Sequence, residues 1–193
     1  RDITDSINRM LSRYGLPPLS SDKVWQSLGD GAGYLVDRCF AFYGREKPDA
    51  SIDEFMEDYK KNSLVKTKLY PNVLSVLKKI SIKKAILTNK RHDFAMDICS
   101  ALRIENIFEV ILGRKGEKKK PDPEGVFAIL RKLKIKGDKT VIVGDTTIDL
   151  LTGKRAGIRC IAVTWGVHKR ETLLAESPDA VIDDIRDFPK LLA

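Results

Sequence analysis

Histidine and cysteine are scarce in this chain of 193 residues, and their spacing excludes several kinds of site. The three cysteines, Cys39, Cys99 and Cys160, lie far apart in apolar patterns, and none belongs to a CxxC pair or a zinc-ligand pattern. We therefore expect buried, reduced thiols in a cytoplasmic protein and no cysteine nucleophile. The two histidines, His92 and His168, form no recognisable catalytic pattern with a cysteine.

Long apolar runs are also absent, and the charge is spread along the chain. No window approaches 18 consecutive apolar residues, so we expect neither a transmembrane span nor a membrane partner. The net charge is +8, but the lysines are scattered without interleaved aromatic residues, so nucleic-acid binding is not expected. A small anionic substrate would benefit from the positive field. The length fits one domain with a proper core, or one domain with a small insertion. We expect a monomer or a homodimer, a choice that the sequence does not decide.

The chain divides into a helical first third and a remainder in which strands and helices alternate. Before residue 80 only helices are predicted, one of them starting with a capping box at Ser51 and Glu54. Strand-like runs follow at 84–88, 108–112, 140–143, 159–164 and 180–182. They alternate with helical segments at 71–80, 91–102, 123–133, 147–156 and 184–192. This alternation predicts an α/β fold in which helices cover both faces of a parallel sheet. We assign residues 1–7 and 67–193 to this core and residues 8–66 to a small helical cap.

Two acidic residues follow the third predicted strand. The β-branched run 140–143 stops at Gly144, Asp145 comes next, and Asp149 lies on the first turn of the following helix. Ligands bind at the carboxyl ends of strands in open α/β sheets, and two carboxylates there are costly without a cation. The pattern therefore indicates a metal, with Mg²⁺ the best match. The alternative is that these residues cap the helix and complement its dipole.

Polar residues at two further positions suit phosphate. Thr88 and Asn89 end another predicted strand, where a hydroxyl and backbone N–H groups could cradle a phosphate or could instead cap the next helix. Lys120 lies in a run of lysines that could be a solvated loop, but Pro121 fixes the backbone after it. A lysine is a point charge suited to a transferring phosphoryl group. The glycine-rich stretch at 29–33 follows a helical pattern, so it is not a dinucleotide loop and is better explained as a tight turn between helices.

Taken in order, Thr88-Asn89, Lys120-Pro121 and residues 144–149 resemble motifs two, three and four of the haloacid dehalogenase (HAD) superfamily. Further segments resemble its phosphoglycolate phosphatase branch, namely 29–32 with Leu35 and Arg38, Tyr70-Pro71, and 153–157. The resemblance covers nearly the whole chain. It implies a HAD-like Rossmannoid sheet core with a small helical cap inserted near the N-terminus.

The resemblance also implies a reaction and a set of site residues. The implied enzyme is a Mg²⁺-dependent phosphomonoesterase that acts through an aspartyl-phosphate, with 2-phosphoglycolate as the leading small phosphorylated metabolite. Asp145 would bind Mg²⁺ directly, and Asp149 directly or through water. Phosphate or substrate would be bound by Thr88, Asn89, Lys120, Gly31 and Arg38, of which Lys120 and Thr88 are also assigned to catalysis.

One part of the family pattern has no counterpart in the sequence. The first motif of the family is an Asp-x-Asp strand end that carries the nucleophile, whereas Asp2 and Asp5 belong to an amphipathic helix. In the family that strand lies between the strands ending at Thr88 and Asp145, so we expect open sheet edges here and about 15 to 20 further residues upstream. Two alternatives stay open. One is a pyrophosphatase or nucleotide phosphatase on the same scaffold, and the other is a non-catalytic binding protein.

Overall fold

A computed structural model of the protein describes residues 1–192, and contacts divide the chain into two units, Arg1–Lys68 and Leu69–Ala193. The first unit is helical throughout, and among its residues, all of which are described, none lies in a strand. Its helices are α1 (Asp2–Arg13), α2 (Ser21–Trp25), α3 (Ala32–Ala41) and α4 (Ser51–Asn62). The assignment of residues 1–7 to the core and 8–66 to a cap stays a prediction.

Serine residues lie at the starts of two helices in the first unit but have different roles. The Ser20 hydroxyl accepts the Lys23 N–H, so Ser20 is the N-cap of α2. The predicted capping box at Ser51 is wrong, because Ser51 is already the first residue of α4. Its hydroxyl donates to the carbonyl of Pro48 at 2.6 Å instead of accepting an N–H from the helix.

The second unit alternates strands and helices, as the sequence predicts. Its strands are β1 (Ala85–Arg91), β2 (Val110–Arg114), β3 (Val141–Gly144), β4 (Arg159–Val163) and β5 (Ala180–Ile182). Its α helices are α5 (Val73–Lys79), α6 (His92–Ala101), α7 (Glu124–Leu133), α8 (Thr147–Ala156) and α9 (Arg170–Ala175). Helix α9 was not predicted, and the predicted last helix is a 3₁₀ helix over Ile185–Leu191 that contains Pro189, which has no N–H to donate.

All of the strand pairs are parallel, but within residues 1–192 they form two sheets rather than one. Strand β1 pairs with β2, and β4 lies between β3 and β5. The facing edges of β1 and β3 are therefore not paired with each other. This agrees with the expectation that the sheet does not close between the strands that lead to Thr88 and Asp145.

The core of the three-stranded sheet shows why its strands read as continuous apolar runs. Alternate residues of a strand point to opposite faces, and β4 buries both sets. Its odd-numbered residues Ile161 and Val163 pack in a cluster with Phe188 on one face. Its even-numbered residues Cys160 and Ala162 pack with Leu150 of α8 and Leu173 of α9 on the other.

A large apolar cleft separates β1 from β3. It has a volume of about 1070 Å³, and β1 and β3 line it together. Helix α7 contributes apolar side chains to its wall, as do α5 and the last 3₁₀ helix. Val143 of β3 is 38% exposed, whereas Ile161 of the central strand β4 is fully buried. The cleft thus has the position of a further strand between two unpaired sheet edges.

Candidate active site at the strand ends

A hydrogen-bonded chain of three residues connects the carboxyl end of β1 with the helix that follows β3. The Asn89 amide donates to the carbonyl of Lys120 at 2.9 Å, and the Lys120 N–H donates to Asn89 Oδ1 at 2.7 Å. The Lys120 ammonium donates to Asp149 Oδ1 at 2.5 Å. Residues predicted from three separate motifs are therefore joined by direct hydrogen bonds.

Lys120 is set apart from the preceding Lys118 by its burial. The side chains of Lys120 and Asp149 are 13% and 10% exposed, whereas Lys118 is exposed to solvent. The peptide bond between Lys120 and Pro121 is cis. Burying a charge without a partner is costly, and the Lys120 ammonium has its partner in the Asp149 carboxylate. Lys120 is therefore a buried, paired lysine and not part of a solvated loop, while its predicted catalytic role stays a prediction.

Asp149 caps helix α8 with one carboxylate oxygen and pairs with Lys120 through the other, while its predicted metal binding stays a prediction. Its Oδ2 accepts the N–H and the hydroxyl of Thr146 at 3.1 and 2.6 Å, and the Thr146 hydroxyl in turn accepts the Asp149 N–H. Thr146 is thus the N-cap of α8, in a capping box with Asp149. The second oxygen, Oδ1, faces Lys120. Helix capping and a place in the charged site therefore coexist in one carboxylate.

Asp145 lies beside this pair without capping the helix. Its Oδ2 accepts the Val167 N–H at 2.9 Å. Burial raises the pKa of Asp145, and the nearby charge of Asp149 raises it further. A carboxylate in this situation is stabilised in its charged form by a cation.

The donor set around Asp145 fits Mg²⁺. Among residues 1–192 there is no cluster of three or more His, Cys, Asp or Glu side chains that could enclose a metal. Mg²⁺ does not need such a cluster, because it is commonly held by one or two carboxylates together with water and phosphate oxygens. Asp145 and Asp149 supply hard oxygen atoms of that kind.

Close backbone approaches at two glycines shape this corner of the site. A Cβ atom at Gly144 would lie 2.1 Å from Cβ of Asp149. A Cβ atom at Gly166 would lie 2.1 Å from Asp145 Oδ2. No side chain can be added at either position without moving a predicted metal ligand.

The turn after β4, residues 164–168, is a part of the site that sequence reasoning missed. Besides Gly166 and Val167, it contains His168, whose N–H donates to the Asp145 carbonyl at 3.1 Å. The available signal was its position, because this turn follows the carboxyl end of a strand that neighbours β3. Its contacts with Asp145 lie about twenty residues apart in sequence, where no local pattern reveals them.

Thr88 and Asn89 do not cap helix α6. The helix starts at His92, and Arg91 at its N-cap makes no side-chain capping bond. The Thr88 hydroxyl accepts the Lys90 N–H at 3.1 Å, and the register of β1 with β2 shifts between Thr88 and Arg91. The capping alternative is therefore wrong, while phosphate binding by these residues stays a prediction.

The remaining candidates lie in the first unit. Gly31 precedes α3 with φ of 96°, a conformation that favours glycine, and Arg38 is exposed in the last turn of that helix. Their predicted role in substrate binding stays a prediction. The Asp2 carboxylate accepts the N–H groups of Lys66 and Thr67, both at 2.8 Å, and Asp5 pairs with the Lys66 ammonium at 2.6 Å. Both acids thus have partners within the first unit.

The three cysteines and the hydropathy of the helices agree with the sequence predictions. Cys39, Cys99 and Cys160 are free and buried. In the part of the chain that the structure describes, every helix is too short or too polar to cross a membrane.

Comparisons with known proteins place the chain in a family. The model of a family described as haloacid dehalogenase-like hydrolase matches residues 1–163. Phosphoglycolate phosphatase 1 of Pseudomonas aeruginosa is 33% identical over 97% of this chain and 72% of its own length. A phosphoglycolate phosphatase of Rhodospirillum rubrum is 31% identical over 94% of this chain and 80% of its own length.

A solved structure agrees with this match. The crystal structure of a predicted phosphoglycolate phosphatase from Haemophilus somnus superposes with a TM-score of 0.92 and 25% identity, covering 100% of this chain and 91% of that one. The strand-end site, the family model and these relatives lead to one conclusion: the chain belongs to the haloacid dehalogenase-like hydrolase family.

Proposed function

We propose that this chain hydrolyses 2-phosphoglycolate to glycolate and phosphate in a Mg²⁺-dependent reaction. The chain is a phosphoric monoester hydrolase of its family, and the substrate is carried over from relatives named phosphoglycolate phosphatases. The observation that carries the proposal is the buried Asn89–Lys120–Asp149 chain of hydrogen bonds, with the carboxylate of Asp145 beside it. Phosphoryl transfer is catalysed largely by positioned charge, which this group of residues supplies.

Each residue has a role that its position supports. The Lys120 ammonium would neutralise the phosphoryl group, and the Thr88 hydroxyl with the Asn89 N–H would orient its oxygens. Asp145 and Asp149 would hold Mg²⁺, which when bound supplies positive charge opposite the phosphoryl oxygens. Because the site is largely buried, these charges act at a lower effective dielectric than in water.

The nucleophile belongs in the cleft between β1 and β3. A parallel strand there would pair with both open edges, and its carboxyl end would emerge between Thr88 and Asp145. We propose that an Asp-x-Asp strand of the kind that forms the family's first motif is this occupant. Its first carboxylate would attack phosphorus as the ester P–O bond breaks, and its second, as a carboxylic acid, would give its proton to the departing glycolate oxygen. The second group, now a carboxylate, would take a proton from a water molecule that attacks phosphorus, which releases phosphate and regenerates the first carboxylate.

The test is phosphate release by the complete translation product of the gene. With Mg²⁺ it should release phosphate from 2-phosphoglycolate, and EDTA should abolish the activity. Pyrophosphate and nucleotides belong in the same panel. Faster turnover of either would replace the proposed substrate while leaving the phosphatase in place. A complete protein that turns over none of them would instead favour the non-catalytic binding role.

We further propose that the protein acts in the cytoplasm on a small phosphorylated metabolite, as a monomer or homodimer, with no nucleic-acid or membrane partner. The three free, buried thiols support a reducing compartment. Fractionation of the source cells and size-exclusion chromatography with light scattering test these two points directly.

A further inference from the structure

His168 bonds to both ends of the short turn that carries Asp145. Its backbone N–H donates to the Asp145 carbonyl at 3.1 Å, and its ring Nδ1 accepts the Thr147 N–H at 3.1 Å. The neighbouring Val167 N–H donates to Asp145 Oδ2. Three hydrogen bonds thus join residues 167–168 to residues 145–147, and Gly166 permits the close approach.

The hydrogen bond from the Thr147 N–H to His168 Nδ1 indicates what the ring does. Thr147 is the first residue of α8, so its N–H has no partner within the helix and must be satisfied from outside. Because Nδ1 is the acceptor of this bond, the ring proton sits on Nε2. The ring is half-buried, so the bond is only partly exposed to competition from water. A side chain that loses this acceptor leaves one end of the Asp145 turn unattached.

We infer that His168 is a positioning residue, which holds the Asp145 carboxylate in the orientation that binds Mg²⁺ by accepting the Thr147 N–H. The inference rests on the proposed function for the identity of the metal site. The ring acts through the backbone of the Asp145–Thr147 turn and not on the substrate. Residues that orient metal ligands in this way commonly change metal affinity by about 10- to 100-fold when replaced.

The test compares three substitutions that differ in where the acceptor lies. Asparagine carries Oδ1 on the same γ carbon that carries Nδ1 in histidine, glutamine carries its oxygen one bond further out, and leucine has none. Mn²⁺ binding to the complete protein without substrate, followed by electron paramagnetic resonance, is the first readout. The second readout is steady-state kinetics, which gives two separate constants. They are the Mg²⁺ concentration for half-maximal activity and the KM for 2-phosphoglycolate at saturating Mg²⁺.

We expect His168→Leu and His168→Gln to weaken Mn²⁺ binding about tenfold or more, and His168→Asn to stay within about threefold of wild type. The KM at saturating Mg²⁺ should change little in all three. His92→Leu is the matched control, since His92 Nδ1 accepts the Gly113 N–H at 3.3 Å in the other sheet, so its loss should leave Mn²⁺ affinity unaltered.

Two results would overturn the inference. One is unchanged Mn²⁺ affinity in the leucine and glutamine variants, and the other is an asparagine variant that binds Mn²⁺ as weakly as leucine. If His168→Leu does not fold, the asparagine and glutamine pair still decides. A wild-type protein that binds Mn²⁺ but releases no phosphate would count against the proposed function alone.

Discussion

Replacing Gly166 by alanine tests whether the turn after β4 holds the metal carboxylate. The added Cβ would lie 2.1 Å from Asp145 Oδ2, 2.2 Å from its Cβ and 2.4 Å from its Cγ. These distances are far below a van der Waals contact. The overlap includes Cβ of Asp145, so rotation of its carboxylate alone cannot relieve it.

The size of the effect follows from the overlap. Carbon atoms pack at about 3.5 Å or more, so either Asp145 or the turn must move by about 1 Å. A misplacement of this size in an active site can cost about 100-fold in rate, and overpacking costs about 1 to 3 kcal/mol of stability. We therefore expect Gly166→Ala to lower kcat/KM about 100-fold while the protein still folds.

The assay is steady-state phosphate release by the complete protein, with a thermal melt to confirm folding. Gly137→Ala is the matched control, because its Cβ would meet only Ile158 at 3.4 Å, so activity should stay within about twofold. If Gly166→Ala kept kcat/KM within twofold of wild type, the turn would not position Asp145 and the reasoning would fail.

Two further predictions concern the charged residues at the strand ends. Asp145→Asn should abolish activity but raise Tm in EDTA by a few degrees, because the raised pKa of Asp145 means that folding stability falls as pH rises through that pKa. Melts should show this gain growing as the pH rises above the ordinary pKa of an aspartate, about 3.9, and a gain independent of pH would contradict the assignment. Lys120→Met should cost about 3 kcal/mol in denaturant unfolding, since it leaves Asp149 buried without its partner. Adding Asp149→Asn to Lys120→Met should recover most of that stability and none of the activity. If the effects of the two substitutions on stability simply added up, Lys120 and Asp149 would not be coupled.

The sequence predicted those parts of the site that local pattern determines. The Gly144–Asp149 segment was recognisable because a β-branched run, a glycine and two acids lie consecutively. Whether Asp149 caps the helix or serves the charged site could not be decided, because that depends on its second oxygen, which meets Lys120 from a distant loop. Gly166 and His168 were not predicted for the same reason, since their contacts with the Asp145 turn form only in the folded sheet.

The fold, like the site, was predictable where a local sequence pattern determines it. Apolar alternation located the strands because those of a parallel sheet are buried on both faces. The exact start of a helix was harder to predict. Ser51 fits a capping-box pattern, but it is already the first residue of α4, and its hydroxyl donates to the carbonyl of Pro48. The open edges of β1 and β3 were expected only through the family resemblance, because neither strand's sequence reveals which neighbour it has.

The position of helix α7 explains why a site can be recognised here although two sheet edges are unpaired. This helix packs against β1, β2 and α8, so it connects the two sheets across the cleft. Gly125 permits its close approach to β1, since a Cβ there would lie 2.6 Å from a methyl group of Leu87. Lys120 precedes α7 and bonds to Asn89 on one side and Asp149 on the other. Asn89, Lys120 and Asp149 are therefore held together independently of a strand in the cleft. In the proposed mechanism such a strand would add the nucleophile to charges that are already in place.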